Sequence, residues 1–298
     1  MSNYLKPARL GIGIISAGKV GAVLGAALRS AGHAIVGVYA KSEASQERAQ
    51  SLLDGVPLME ITEIVEKSEV ILLAVPDDSL PPLVSWIAEH AQLQSGQILI
   101  HTSGRYGVGV LEPATNRGAI GLAIHPAMTF TGLSLDLARL QNTSFGVTGP
   151  APFLPIAQAL SVEMGGEPVI IAEGDRPLYH AALAHASNHL VTITGQSMQI
   201  LASLGIEDPA RYLEPLVRAS LDNALASGES ALTGPVVRGD SRTVESHTEV
   251  LTGFAMEENA KDILDSYRAL ARATAQRAHA KGALNDEQYS RIVEALDS

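Results

Sequence analysis

The first 172 residues alternate short apolar runs with stretches of helical periodicity. This alternation is typical of a parallel β-sheet covered by helices. Several runs are continuously apolar, as expected for strands buried on both faces. The predicted strands are Arg9–Ile15, Ile35–Tyr39, Val70–Val75, Ile98–His101, Ile120–Ile124, Phe145–Thr148 and Pro168–Ile171. The clearest intervening helices are predicted at Lys19–Ala31 and Leu80–His90.

The pattern changes near Gly174. Residues 177–298 contain no strand pattern. Helical periodicity is found at 177–204, 209–227, 241–252, 257–281 and 285–296. The sequence therefore predicts an α/β fold class, with a doubly wound and mostly parallel sheet over residues 1–173. An all-helical domain is predicted over residues 174–298.

The composition is that of a folded protein, with 46% hydrophobic and 18% charged residues. A net charge of −11 argues against a nucleic-acid partner. The first seven residues contain no apolar run of signal-peptide length, and the chain has no cysteine, so we expect a cytoplasmic protein. Residues 177–206 carry no charge, but their histidine, asparagine and glutamine side chains are costly in a bilayer. We therefore expect a buried helix in a soluble protein, with no membrane contact.

A strand-turn-helix segment near the N-terminus carries the pattern S-x-G-x-x-G. The dinucleotide fingerprint has glycine at three positions, and here Ser16 takes the first position while Gly18 and Gly21 take the others. The helix start offers backbone amides to a diphosphate. This context favours a Rossmann-type dinucleotide site, and tight packing of a βαβ unit is the alternative. The predicted diphosphate-binding residues are Ser16, Ala17, Gly18, Lys19, Val20 and Gly21.

The end of the second strand bears on the choice of cofactor. An NAD site places a carboxylate there for the ribose, and none follows Tyr39. Lys41, Ser42 and Arg48 instead offer cationic and hydroxyl groups to a 2′-phosphate. The sequence therefore predicts NADP(H), with solvated surface charges as the alternative. Cofactor-binding residues on the nicotinamide side are predicted at the ends of the third and fourth strands, at Val75, Pro76 and Ser103.

Two histidines lie at carboxyl ends of predicted strands. His125 follows the fifth strand and precedes a proline, and His101 ends the fourth strand. A histidine placed in this way can act as an acid or base, or position a substrate oxygen. A hydrogen-bonded structural role is the alternative for each. We take His125 as the catalytic candidate.

One face of the charge-free helix carries six neutral polar residues at helical spacing. They are His185, His189, Thr192, Gln196, Gln199 and Ser203. A solvent face would contain lysine or glutamate, so this stripe should face a ligand cleft or another protein surface. We expect the first turns, with His185 and the adjacent Asn188, to line a catalytic cleft. From Thr192 onward, a hydrogen-bonded dimer or interdomain seam is the alternative.

A tight loop containing Arg238 is predicted between two helices. The arginine is expected either to bind a substrate carboxylate or to belong to a loop that only caps helices, with Asp240 as the cap. No metal site is predicted, because no histidine pairs with carboxylates at ligand spacing.

Taken together, these motifs resemble a family of Rossmann-like proteins with a helical C-terminal domain of unknown function, usually described as oxidoreductases. The resemblance spans nearly the whole chain. It is carried by 16-SAGKVG-21, 74-AVPDD-78, 101-HTSG-104, 125-HPAMTF-130, 187-SNHL-190 and 234-GPVVRGD-240. More distantly, the chain is similar to β-hydroxyacid dehydrogenases, ketopantoate reductases, pyrroline-carboxylate reductases and prephenate dehydrogenases.

The resemblance implies an NADP(H)-dependent oxidoreductase that is dimeric through its helical domain. Its substrate would be a small keto acid, hydroxy acid or imine, bound between the domains, with hydride transferred to or from it. The hydroxyacid and ketopantoate enzymes carry a lysine four residues before an asparagine on the first helix after the Rossmann domain. Asn188 matches the asparagine, whereas Ala184 replaces the lysine.

A histidine or an ordered water would then supply the proton. The candidate catalytic residues are His125, His185 and Asn188, with Arg238 as a carboxylate anchor. The missing lysine also supports an alternative from another class, a non-catalytic NADP(H)-binding regulator or sensor.

Overall fold

The computed structural model describes residues 9–298. The first eight residues, where the sequence predicts no signal peptide, lie outside the described part of the chain. Within residues 9–298, no helix has both the length and the hydropathy that crossing a membrane requires.

Seven strands form one sheet in the order β2-β1-β3-β4-β5-β6-β7. Their bounds are β1 Gly11–Ile15, β2 Ala34–Tyr39, β3 Val70–Leu73, β4 Ile98–His101, β5 Ile120–Pro126, β6 Ser144–Thr148 and β7 Glu167–Ile170. The first five strands are parallel, β6 runs antiparallel to β5, and β7 is parallel to β6. The predicted α/β class with a mostly parallel sheet is confirmed, and each predicted strand end lies within two residues of the observed one.

The helices are α1 Lys19–Ser30, α2 Glu43–Leu52, α3 Ile61–Lys67, α4 Leu80–His90, α5 Glu112–Thr115, α6 Leu135–Arg139, α7 Leu154–Glu163, α8 Arg176–Ser203, α9 Pro209–Ser227, α10 Ser241–Glu257, α11 Lys261–Ala280 and α12 Asp286–Asp297. The predicted break between 252 and 257 is wrong, because α10 continues to Glu257. The chain turns instead at Asn259, whose φ of 52° lies in the left-handed region.

Both faces of the central strands are buried, whereas the edge strand β7 is largely exposed. On one face, alternate strand residues such as Ile12 and Ile14 pack with residues of α1, α2 and α7. On the other face, Ile71, Leu73 and Leu99 pack with α3 and α4. Because side chains alternate across a strand, continuous apolar runs supply both cores.

The strand order places a crevice at a defined edge of the sheet. β1 lies between β2 and β3, so the chain leaves β1 toward one side and later returns on the other. In open α/β sheets, ligands bind outside the carboxyl ends of the strands at such a switch point. The turns after β1 and β3 therefore form the expected binding edge.

The chain divides into two units, and the second runs from Asn188 to Ser298. The first unit contains the sheet and the beginning of α8. In the second unit, α10, α11 and α12 enclose an apolar cluster that includes Val244, Ala275 and Ile292. The domain boundary after residue 173 stays a prediction.

The expectation that the charge-free helix is buried is wrong for this chain. Arg176, the first residue of α8, is the only α8 residue with a buried side chain. Large apolar side chains such as Leu178 and Val191 are about three-quarters exposed. The absence of charge indicates a surface that avoids ion desolvation, but it does not require the covering surface to come from the same chain.

Candidate functional site

The turn after β1 has the backbone that the dinucleotide fingerprint requires. Ser16 adopts a φ of 82°, in the left-handed region that favours glycine. The amides of Ser16 and Ala17 donate to the Tyr39 carbonyl at 3.0 and 3.2 Å, which ties this turn to the end of β2. Ala17 has no exposed surface. The amides of Ser16 and Ala17 are therefore already used, and only the amides that follow Ala17 are left to face a diphosphate.

The start of α1 lies close against the sheet. A Cβ atom on Gly21 would collide with the Ser16 carbonyl oxygen and lie 2.9 Å from the Ala74 Cβ after β3. Gly18 is the N-cap residue, and no side chain caps this helix. The first-turn amides at Lys19 and Val20 thus have no side-chain acceptor, as a phosphate-binding helix start requires.

The loop after β5 borders this helix start. A Cβ atom on Gly132 would lie 3.0 Å from side-chain carbons of both Lys19 and Arg48. The loop is held by Asp136, whose buried carboxylate accepts hydrogen bonds from the Thr131 and Gly132 amides at 2.7 and 2.8 Å. These bonds lower the pKa of Asp136 although burial alone would raise it. This hydrogen-bonded loop therefore lies beside the start of α1 and the Arg48 side chain.

The residues predicted for a 2′-phosphate lie around the start of α2. Ser42 is the N-cap, and its hydroxyl accepts a hydrogen bond from the Ser45 amide in a capping box. Lys41 is exposed. Arg48 donates from Nε to the Ala17 carbonyl at 3.4 Å, so this arginine also supports the dinucleotide turn. Lys41 and Arg48 border the turn as cations, whereas Ser42 is already engaged in capping.

The residues predicted for the nicotinamide side differ in their surroundings. Pro76 is exposed and Val75 is half-buried beside the core. Ser103 is buried, and its hydroxyl accepts hydrogen bonds from the Arg105 and Tyr106 amides. The Ser103 hydroxyl therefore orders the loop after β4.

His101 organises the same loop. It has no exposed surface, Nε2 lies 2.9 Å from the Gly107 carbonyl, and Nδ1 accepts from the Ser103 amide at 3.2 Å. Both ring nitrogens are thus used by the backbone. Burial, the largest cause, lowers the pKa of His101 to about 4. These hydrogen bonds hold His101 in one neutral tautomer, and they give it a structural role.

His125, near the end of β5, has different partners. Its Nδ1 lies 2.9 Å from the Tyr179 hydroxyl, and the two rings meet edge to face. Its Nε2 points toward Gly104, where an added Cβ would lie 2.9 Å from this atom and 2.8 Å from a ring carbon of His180. One nitrogen is therefore held by a side chain, and the other lies against Gly104, where a residue larger than glycine would collide with it.

Burial, helped by nearby positive charge, keeps His125 neutral. Its pKa is lowered to about 4, chiefly by burial and then by the positive charge of Arg176 and by His180 and His101, while Asp77 acts in the opposite direction. A neutral imidazole carries one N–H donor and one acceptor. His125 therefore has the protonation state of a neutral hydrogen-bond donor near pH 7.

Arg176 is a buried cation bonded to neutral oxygens. Its guanidinium donates to the Thr148 hydroxyl at 2.8 Å and to the Gly146 carbonyl at 2.9 Å. It also donates to the carbonyls of Ser103 and Ala123, each at 3.3 Å. The same group lies 5.8 Å from the centre of the Tyr179 ring. Arg176 thus joins the loop after β4, strands β5 and β6, and the first turn of α8.

Sequence reasoning missed both Arg176 and Tyr179. The segment before Pro177 was interpreted only as the place where the strand pattern ends. A usable signal was present, because Arg176 is the last charged residue before a charge-free run that extends to Ile206. An arginine at that position can turn inward while the helix itself stays neutral.

The other predicted catalytic residues belong to α8 and to the loop before α10. His185 is an exposed residue of α8 in the first unit, and Asn188 and Arg238 belong to the second unit and are also exposed. Asp240 caps α10 by accepting from the Thr243 amide, as the capping alternative for this loop predicted. Roles for His185, Asn188 and Arg238 stay predictions.

The polar stripe contacts protein in its second half. Gln196 donates to the Asp262 carboxylate at 2.8 Å and to the Ser266 hydroxyl at 3.1 Å, both on α11. Thr192 donates to the Asn188 carbonyl of its own helix. Within the second unit, this part of the stripe is a hydrogen-bonded seam.

Comparison with known families agrees with this architecture. A Rossmann-like domain model matches residues 1–126, and a model for a domain of unknown function, DUF2520, matches residues 143–274. The chain therefore carries a Rossmann-like domain followed by a DUF2520 domain. No curated protein matches it.

Several solved structures share the fold of this Rossmann–DUF2520 protein. A candidate NADP oxidoreductase from Bacteroides fragilis is 18% identical, with 90% of this chain and 98% of that chain covered and a TM-score of 0.76. A reductive aminase from Aspergillus terreus, in complex with NADPH and ethyl-5-oxohexanoate, is 16% identical over 96% and 99%, with a TM-score of 0.67. An imine reductase from Pseudomonas sp. is 19% identical over 97% and 100%, with a TM-score of 0.62. At these identities the matches establish the fold.

Because His101 and His125 have lowered pKa values, we expect the free energy of unfolding to depend on pH. Their folded pKa values lie near 4, below the ordinary value of 6.5, so the unfolded chain binds more protons between these values. The contribution of these two histidines to the free energy of unfolding is therefore complete above pH 6.5 and is lost as the pH falls toward 4. His101→Gln should reduce the loss of unfolding free energy between pH 7 and pH 4 by up to about 3 kcal/mol. Urea unfolding at several pH values measures this.

The control is His90→Gln, because the His90 side chain is half exposed on α4. This variant should keep the pH dependence of the wild-type protein. An unchanged slope in His101→Gln would contradict the assignment of a buried neutral histidine.

Proposed function

We propose that this protein is an NADP(H)-dependent oxidoreductase that transfers hydride to or from a small keto acid, hydroxy acid or imine. The observation that carries the proposal is the contact between His125 and Tyr179, on the same sheet edge as the turn after β1. A hydride donor and a proton donor are the two requirements for reducing a C=O or C=N bond.

The turn after β1 fits a dinucleotide. Ser16 has the required left-handed backbone, Gly21 allows the helix to approach the strand, and the start of α1 has no side-chain cap. Lys41 and Arg48 supply positive charge for the 2′-phosphate. A bound NADPH supplies a hydride equivalent, and Pro76 is an exposed surface beside which the nicotinamide would lie.

The chain's own contribution is to orient a proton. His125 is held at Nδ1 by Tyr179, and its Nε2 lies on the opposite side of the ring, near Gly104. A neutral N–H donor can polarise a carbonyl or imine and give its proton to the heteroatom as the carbon is reduced. In this proposal Asn188 and His185 are further donors, and Arg238 binds a substrate carboxylate. The competing function is a regulator that binds NADP(H) without catalysing a reaction, supported by Ala184 in place of lysine.

Cofactor preference tests the first half of the proposal. The protein should bind NADPH at least tenfold more tightly than NADH, because a charge-assisted contact to the 2′-phosphate contributes about 1.5–3 kcal/mol. Lys41→Ala should weaken NADPH binding about tenfold and leave NADH binding unchanged. Isothermal titration calorimetry measures both affinities, with Lys67→Ala on α3 as the control. Equal affinities for the two nucleotides would contradict the proposal.

Turnover tests the second half. We expect His125→Ala to lower kcat by about 10²–10⁴-fold, the usual range for losing a positioned proton donor, without changing the Kd for NADPH. NADPH oxidation with 2-ketobutyrate and with 2-methyl-1-pyrroline provides a keto-acid probe and an imine probe. His90→Ala is the matched control, since this histidine lies on α4 and stacks on Trp86.

The outcomes separate the two functions. NADPH binding without turnover of either probe by the wild-type protein would favour the regulator. Full turnover in His125→Ala would contradict the role of this histidine, and Asn188→Ala then tests the second predicted donor.

We also propose a homodimer formed through the helical domain, as the family resemblance implies. Large apolar side chains are exposed along α8 and α9, and such patches mark interaction surfaces. They include Leu178, Leu190, Val191, Ile193, Leu216, Leu221 and Leu225. Light scattering should give a dimeric mass, and Val191→Asp should shift it toward the monomer, whereas Leu133→Asp in the first unit should not. A monomeric wild-type protein would contradict this.

A further inference from the structure

A tyrosine and a buried arginine stand behind His125, on the side away from Gly104. Tyr179 and Arg176 are three residues apart on α8, so they share one face of the helix. The Tyr179 hydroxyl reaches Nδ1 of His125 at 2.9 Å. The Arg176 guanidinium lies 5.8 Å from the Tyr179 ring centre. The three side chains therefore lie in a row, with the phenol of Tyr179 between the buried guanidinium and the imidazole.

A glycine on β6 makes room for the Tyr179 side chain. Gly146 lies opposite His125 in the antiparallel β5–β6 pair. A Cβ on Gly146 would lie 2.7 Å from the Tyr179 hydroxyl, so a larger residue would displace the phenol. The Tyr179 ring is therefore held between strand β6 and the histidine that it contacts.

Within residues 9–298, the Arg176 guanidinium has no carboxylate among its hydrogen-bond partners. All four of its acceptors are neutral oxygens, and the Glu173 carboxylate is bound by the Val108 and Gly109 amides. Burying a charge in this way is costly. A negative charge formed on Tyr179 during a reaction would be stabilised by this cation. Burial raises the pKa of Tyr179, and Arg176 opposes that rise.

We propose that Tyr179 is a positioning residue that donates its hydroxyl proton to Nδ1 of His125, and that Arg176 is the counter-ion for the resulting phenolate. This inference rests on the proposed function. As hydride reaches the substrate carbon, the Nε2 proton of His125 moves to the heteroatom, and the Tyr179 proton moves to Nδ1. His125 stays neutral and changes tautomer, and Tyr179 becomes a phenolate beside Arg176. A solvent proton then adds to Nε2, and the Nδ1 proton returns to Tyr179, which restores the resting state. One proton and one hydride are consumed for each C=O or C=N bond reduced.

The kinetic test is Tyr179→Phe, which removes only the hydroxyl. We expect kcat with 2-ketobutyrate or 2-methyl-1-pyrroline to fall at least about a hundredfold, with KM and the Kd for NADPH changed less than twofold. Tyr267→Phe is the matched control, because Tyr267 also holds a histidine Nδ1, that of His247, at 2.9 Å with the rings edge to face. This second pair lies in the helical unit and should be dispensable for turnover. Equal kcat values for Tyr179→Phe and wild type would overturn the proposal.

A second test needs no substrate. In ¹⁵N-histidine NMR spectra at pH 7, His125 should show a single neutral tautomer with its proton on Nε2, and Tyr179→Phe should populate both tautomers. The resonance is identified by its loss in His125→Ala. A wild-type proton on Nδ1, or an unchanged tautomer in Tyr179→Phe, would overturn the proposal.

Arg176→Gln and Arg176→Lys test the counter-ion. Removing the charge in Arg176→Gln should raise the pKa of His125, and keeping it in Arg176→Lys should not, so an equal pKa in all three proteins would contradict the role. If Arg176→Gln does not fold, Arg176→Lys remains informative, since it should retain more than a tenth of wild-type kcat. A wild-type protein that neither binds NADPH nor turns over a probe would refute the proposed function, while the NMR result would still decide the pairing of Tyr179 with His125.

Discussion

The geometry of the candidate site depends on one buried guanidinium. Arg176 has no exposed surface, and its hydrogen bonds join four segments that are far apart in the sequence. An ion in such a place costs several kcal/mol unless its donors are satisfied, and here four carbonyl and hydroxyl oxygens satisfy them. The loop after β4, the ends of β5 and β6, and the start of α8 are therefore held as one unit. The same charge adds to burial in lowering the pKa of both His101 and His125.

The two histidines show why a low pKa does not identify a functional group by itself. His101 and His125 both have a pKa of about 4, for the same main reason. The backbone uses both nitrogens of His101, whereas a side chain holds one nitrogen of His125 and the other faces Gly104. The distinction lies in the hydrogen-bond partners. The sequence predicts both residues at strand ends, but it does not show how their hydrogen-bond partners differ.

The elements of the fold could be predicted because they depend on local patterns. Buried strands need apolar runs, helices need their periodicity, and the dinucleotide turn needs glycine or a tolerated substitute such as Ser16. The partners of Arg176 could not be predicted, since they lie between 28 and 73 positions away along the chain. The burial of α8 was predicted wrongly for a related reason. Composition shows that a surface avoids charge, whereas the identity of the covering surface depends on tertiary and quaternary contacts.

The antiparallel strand β6 explains how Tyr179 can contact His125 at the edge of a mostly parallel sheet. Parallel strands bring the turns after β1, β3 and β4 to one edge, where a dinucleotide would bind. β6 enters from that edge in the opposite direction and places Gly146 beside His125. The missing side chain at Gly146 leaves the space that Tyr179 fills from α8. A sixth parallel strand would run the other way and require a crossover to return the chain, so the pairing of Tyr179 with His125 depends on this reversal of direction.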